Sequence, residues 1–173
     1  YNGESNLVFT EIYRDKIGGQ WESIYRSESY YNESGKHILI KGFDFDGIGW
    51  VYDWRYEMTY NETGGLISLA LYTLVGDDWI LTEISTYSYN ENNRLSLVLN
   101  QWSYEFVGVL ENAFKEELNY NENVVLSDVI YFSWSVEENI WMAFEKTEFL
   151  YSSDYSFENL ILPYNVSRNE FYF

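Results

Sequence analysis

Cysteine is absent from this 173-residue chain, and proline occurs once, as Pro163. No disulfide framework is available, so folding must rest on packing, for which a chain of this length is long enough. The lack of cysteine assigns no compartment, because repeat arrays close their cores without bridges. Basic residues are scarce as well: 10 Lys and Arg face 28 Asp and Glu, giving a net charge of −18. No Lys/Arg cluster offsets this locally, which excludes nucleic acid and anionic lipid as expected partners. No apolar run approaches the roughly 18 residues of a spanning helix, so direct membrane insertion is not expected. No signal peptide precedes Tyr1, and the chain opens inside a repeated motif, as expected of a mature or excised piece of a longer protein.

Aromatic residues, by contrast, are abundant. Tyr, Phe and Trp make up 21% of the chain, and hydrophobic residues 46%, too many for a disordered acidic tail. Flat rings cover their neighbours well on a pleated surface, so this composition favours strands.

A pentapeptide recurs. "YNESG" starts at Tyr31, "YNETG" at Tyr60, "YNENN" at Tyr89 and "YNENV" at Tyr120, and the chain begins with "YNGES". Trp21, Trp50, Trp79 and Trp141 each stand ten residues before Tyr31, Tyr60, Tyr89 and Tyr151, and Leu110 stands ten before Tyr120. An invariant spacing is what a strand of fixed register imposes, since one inserted residue turns every later side chain to the other face. In "WVYDWRYEMTY" Trp50, Tyr52, Trp54, Tyr56, Met58 and Tyr60 alternate with smaller or charged residues, the period of a strand. Segments such as "LISLALYTL" and "RLSLVLNQW" supply a second strand per period.

Each period therefore predicts one long β-hairpin. The Asn after each Tyr hydrogen-bonds the backbone two residues on, and Gly35, Gly64 or Asn93 takes the left-handed conformation that closes the turn. Val124 does not suit that place, and the reading there is that Asn123 takes the role or the loop changes type. The expected fold is all-β: about five tandem hairpins over residues 1–150, with Tyr-Asn turns near 1, 31, 60, 89 and 120, forming one continuous coiled antiparallel sheet of solenoid-like character with one face turned inward. Residues 151–173, which abandon the period, form a cap or lead into a further region.

These motifs resemble the Trp/Tyr-rich tandem repeats of secreted and surface proteins from Bacteroidota, many exported by the type IX secretion system, and distantly the YD repeats of Rhs proteins. "YNETGGL", "YNENNRL", "FDFDGIGW" and "WSVEENIW" carry the likeness. It implies an extracellular or cell-surface location and a role as spacer or adhesive surface without catalysis, with other protein subunits or neighbouring repeats as partners.

Three chemistries compete with architecture as readings of particular residues. "DFDGIG" places Asp44 and Asp46 as at the start of a calcium loop, but the position for the closing bidentate Glu holds Arg55, so a hairpin tip is the expectation and no cofactor is assigned. Acidic neighbours such as Glu116/Glu117 point to opposite faces of a strand, and the single His37 has no nucleophile beside it, so no catalytic residue is assigned and the chain is read as not an enzyme. Rows of aromatics can stack on sugar rings as well as on each other. Trp54, Trp50, Tyr52, Tyr56, Trp102 and Trp134 are accordingly the candidate binding face, with glycans as the alternative partner. Trp54 is the most telling, because Tyr25, Glu83, Phe114 and Glu145 stand at its place in other periods.

Overall fold

The computed structural model describes residues 6–17, 19–104 and 107–151. Ten strands follow one another there: β1 Asn6–Ile17, β2 Gln20–Tyr31, β3 His37–Phe45, β4 Trp50–Tyr60, β5 Leu66–Val75, β6 Asp78–Tyr89, β7 Leu95–Ser103, β8 Leu110–Tyr120, β9 Leu126–Ser135 and β10 Ile140–Glu148. They form one open sheet in chain order, with every neighbouring pair antiparallel. No α-helix occurs among the described residues. The all-β antiparallel expectation holds. The "YNGES" turn and the expected cap, with Pro163, lie outside the described residues.

The Tyr-Asn turns are built alike. Asn32 N–H donates to the Lys36 carbonyl, Gly35 N–H donates back to the Asn32 carbonyl, and Asn32 Oδ1 accepts from the Ser34 and Lys36 amides. Asn90 and Asn121 repeat all of these bonds, and Asn61 repeats the backbone pair and the bond from Gly65. The left-handed residue is Gly35 (φ 77°), Gly64 (85°), Asn93 (56°) and Val124 (61°). Val124 thus takes the position itself, against the expectation that Asn123 would replace it or the loop would change. The four hydrogen bonds that Asn121 makes define the loop and override the steric preference of one β-branched residue. Behind each turn, Tyr60, Tyr89 and Tyr120 donate their hydroxyls to the carbonyls of His37, Leu66 and Leu95, tying it to the preceding hairpin.

The even-numbered strands carry a bulge that plain alternation does not anticipate. Gly42 pairs with Trp54 but Phe43 pairs with Tyr52, leaving Asp53 extra. The same shift leaves Ile24, Thr82, Ala113 and Phe144 extra in β2, β6, β8 and β10. Each of these residues stands three after Trp21, Trp79, Leu110 or Trp141. Because register partners share a face, the bulge sends Tyr52 to one side of the sheet and Trp54 to the other. The expected unbroken alternation from Trp50 to Tyr60 is corrected accordingly.

Burial is shared between the two sides. Phe43 and Ala70 are buried on the face of Trp50; Met58, Val129, Ser27 and Ser85 are buried on the face of Trp54. Among the described residues no side chain is fully buried, so stability there comes from contacts along the sheet rather than from a thick core.

Candidate functional site

On the face of Trp50, cations and rings form joints across the sheet. Arg26 of β2 lies 4.1 Å from the ring centre of Phe43 on β3 and 5.3 Å from that of Trp50 on β4. Arg55 of β4 lies 4.7 Å from Tyr72 on β5 and 4.6 Å from Trp79 on β6. Lys115 of β8 lies 4.0 Å from Phe132 on β9 and 5.4 Å from Trp141 on β10. Each cation also pairs with the acid two residues on: Arg26 with Glu28 at 3.3 Å, Arg55 with Glu57 at 2.7 Å, Lys115 with Glu117 at 2.7 Å. A cation over a ring is worth about 0.5–2 kcal/mol, more as water is excluded.

The bulge makes these joints possible. Each cation stands five residues after a Trp or Leu landmark, an odd spacing that plain alternation would split between faces. One extra residue between them restores a common face. At the remaining boundary between hairpins the whole joint is exchanged: Ile84 stands where a cation would be, Thr86 where its acid would be, Gln101 where Phe43, Tyr72 and Phe132 stand, and Leu110 where the Trp would be. With the cation gone, the acid and the two rings that served it are gone too.

The face of Trp54 carries a different row. Tyr13 and Tyr25 lie 5.1 Å apart, Tyr25 stacks on Trp54 at 5.9 Å with planes 12° apart, and Trp54 meets Tyr56 edge-on at 5.4 Å. Tyr25 and Trp54 belong to β2 and β4, and the indole reaches over Gly42 of β3; a Cβ on Gly42 would clash with the indole. Further along, Trp102 meets Phe114 edge-on at 5.2 Å, and its Nε1 is buried with no hydrogen-bond partner among the described residues.

Beside this row lies the carboxylate pair Asp44 and Asp53. Burial, and then the neighbouring Asp44, raise the Asp53 carboxyl above its ordinary value, and its Oδ1 is buried without a partner among the described residues. Burial first, then Tyr13 and the two acids, push the Tyr25 phenol up to about 12. Asp46 is engaged elsewhere: its Oδ1 accepts from the Ile48 and Gly49 amides at 2.8 Å, which lowers its carboxyl. The two acids singled out for calcium therefore serve different neighbours. Among the described residues no three His, Cys, Asp or Glu gather as metal ligands. His37 sits at the far end of β3 from Asp44, 4.2 Å from the Tyr31 ring, with burial lowering its pKa.

The six aromatics expected to form one face divide three and three. Trp54, Tyr56 and Trp102 lie on one side; Trp50, Tyr52 and Trp134 lie on the other, with Tyr52 against Phe43 and Trp79 and Trp134 against Trp141. Alternation along single strands does not single out Arg26, Arg55, Lys115 or Gly42 for these contacts. The sequence held the signal for the cations, a Lys or Arg five residues beyond most landmarks, but odd spacing hides it until the bulge is known.

No family model matches this sequence, and no curated protein matches it. Solved structures do. A protein of unknown function from Bacteroides fragilis NCTC 9343 is 11% identical, with a TM-score of 0.54 over 81% of this chain and 93% of that one. A DUF3836 family protein from Bacteroides vulgatus ATCC 8482 is 15% identical, with a TM-score of 0.44 over 53% of this chain and 91% of its own. A second DUF3836 family protein, from Parabacteroides distasonis ATCC 8503, is 14% identical, with a TM-score of 0.41 over 56% and 90%. The first likeness concerns the fold alone.

Proposed function

We propose that this chain is a tandem array of β-hairpins, solenoid-like in character, that works as a non-enzymatic spacer with an adhesive surface in a larger assembly at the cell surface. The observation that carries this reading is the joint between hairpins: at three boundaries a cation of one hairpin lies over two rings of the next. Side chains committed to joining successive units serve reach and continuity. In such an array stability is a sum of unit and interface contributions, so units can be added or removed. The net charge of −18 keeps a surface rich in rings soluble and discourages pairing of edges between copies. The cell-surface setting and the partners follow from the resemblance of the repeated motifs.

Excising residues 32–60 tests the reading. The deletion removes β3 and β4 and places Arg26 before Tyr72 and Trp79, recreating the Arg55 joint. A shortened chain that unfolds cooperatively, with small-angle scattering showing a sheet narrower by two strands, is the expected result. A collapsed or unfolded product would overturn it.

A further inference from the structure

On the face of Trp50 the row of joints is interrupted once, where Ile84, Gln101 and Leu110 replace cation, ring and Trp. A cavity of about 360 Å³ opens there, lined by Gln101, Leu110, Glu111, Asn112, Trp134 and Asn139, among others. That volume is within the range of small-ligand sites, about 300–1,000 Å³. Gln101 Nε2 donates to Asn112 Oδ1 at 3.1 Å, which leaves Gln101 Oε1 to act as acceptor and Asn112 Nδ2 as donor. Trp134, held edge-on against Trp141 at 5.0 Å, forms an aromatic wall.

We propose that this notch binds a neutral sugar ring. A pyranose offers an apolar C–H face to an indole and adjacent hydroxyls that each donate and accept, which matches Trp134 beside an amide donor and acceptor. The joint's cation is missing here and no Lys or Arg lines the notch, so a carboxylate or phosphate ligand finds no positive partner in a chain of strongly negative net charge. An ammonium ligand would use only the acceptors and leave the Asn112 donor unpaired. The site does not depend on the spacer reading, and it lies on the opposite side of the sheet from Trp54.

The test is titration of the intact chain with neutral hexasaccharides of glucose, mannose, xylose and galactose, with polygalacturonate as acidic control, followed by NMR of side-chain amide and indole N–H signals. Shifts are expected at Gln101, Asn112 and Trp134 with at least one neutral sugar and none with polygalacturonate. Gln101→Phe fills the notch with the ring found at Phe43 and Phe132, and Asn112→Leu uses the residue found at the same place in β6, Leu81, so both suit the scaffold. Either should weaken binding about tenfold, equivalent to about 1.4 kcal/mol, by removing hydrogen bonds to the ring hydroxyls, while Trp54→Ala leaves it unchanged. Silence of these three residues toward the whole panel would overturn the proposal. So would sugar binding that Trp54→Ala abolishes, or that both Gln101→Phe and Asn112→Leu leave intact.

Discussion

The guanidinium of Arg55 lies 4.6 Å from the ring centre of Trp79, two strands away and in the next hairpin. Tyr72 lies beneath the same cation on the intervening strand, so one side chain clamps three strands. The exchange of the equivalent joint for Ile84, Gln101 and Leu110 indicates that cation and Trp are held together by each other rather than by the backbone beneath.

A double-mutant cycle over Arg55→Ile and Trp79→Leu, the residues found at Ile84 and Leu110, should return a coupling of about 0.5–2 kcal/mol. Urea unfolding of the four proteins measures it. Strict additivity would mean the two residues contribute independently.

Gly42 is required by the indole above it. Gly42→Ala should cost about 1–3 kcal/mol, as overpacking does. In a Trp54→Ala background the same change should cost almost nothing. Thermal melts of the two singles and the double decide the matter, and an equal cost in both backgrounds would locate the strain elsewhere.

Val124 sits at φ 61°, a region β-branched residues avoid. Val124→Gly should stabilise the chain by about 1 kcal/mol, the usual penalty for a left-handed residue with a Cβ, and Gly35→Val should destabilise it comparably. Chemical denaturation reads both. A neutral Val124→Gly would show that the turn tolerates its valine without strain.

Asp53 supplies a pH dependence. Its folded-state pKa is raised above the ordinary 3.8, by burial first and Asp44 second. The folded chain therefore holds this proton more tightly than the unfolded chain, and stability falls as pH rises from about 3.8 through the raised value. Above that window the penalty is complete. Asp53→Asn should raise the melting temperature at pH 7, with the gain shrinking as pH falls toward 3.8. A gain that grows in acid would reverse the assignment.

How much was legible in the sequence differs between turn and strand. The Tyr-Asn turns could be read because each is local: Asn32, Asn61, Asn90 and Asn121 bond residues within four positions of themselves, and neighbouring side chains are enough to specify them. Strand order followed, since hairpins joined by short turns pair with their neighbours in sequence. The single face read from plain alternation divides at Asp53, where one unpaired residue puts Trp54 on the far side from Trp50 and Tyr52.

From its own residues the chain determined period, strand character and turn chemistry, all of which rest on interactions between near neighbours. Only the assembled sheet decided which side each ring occupies, which cation it meets and where the row of joints opens into a notch. A bulge is a property of two strands in register, defined by what the partner leaves unpaired, and no single strand carries that information.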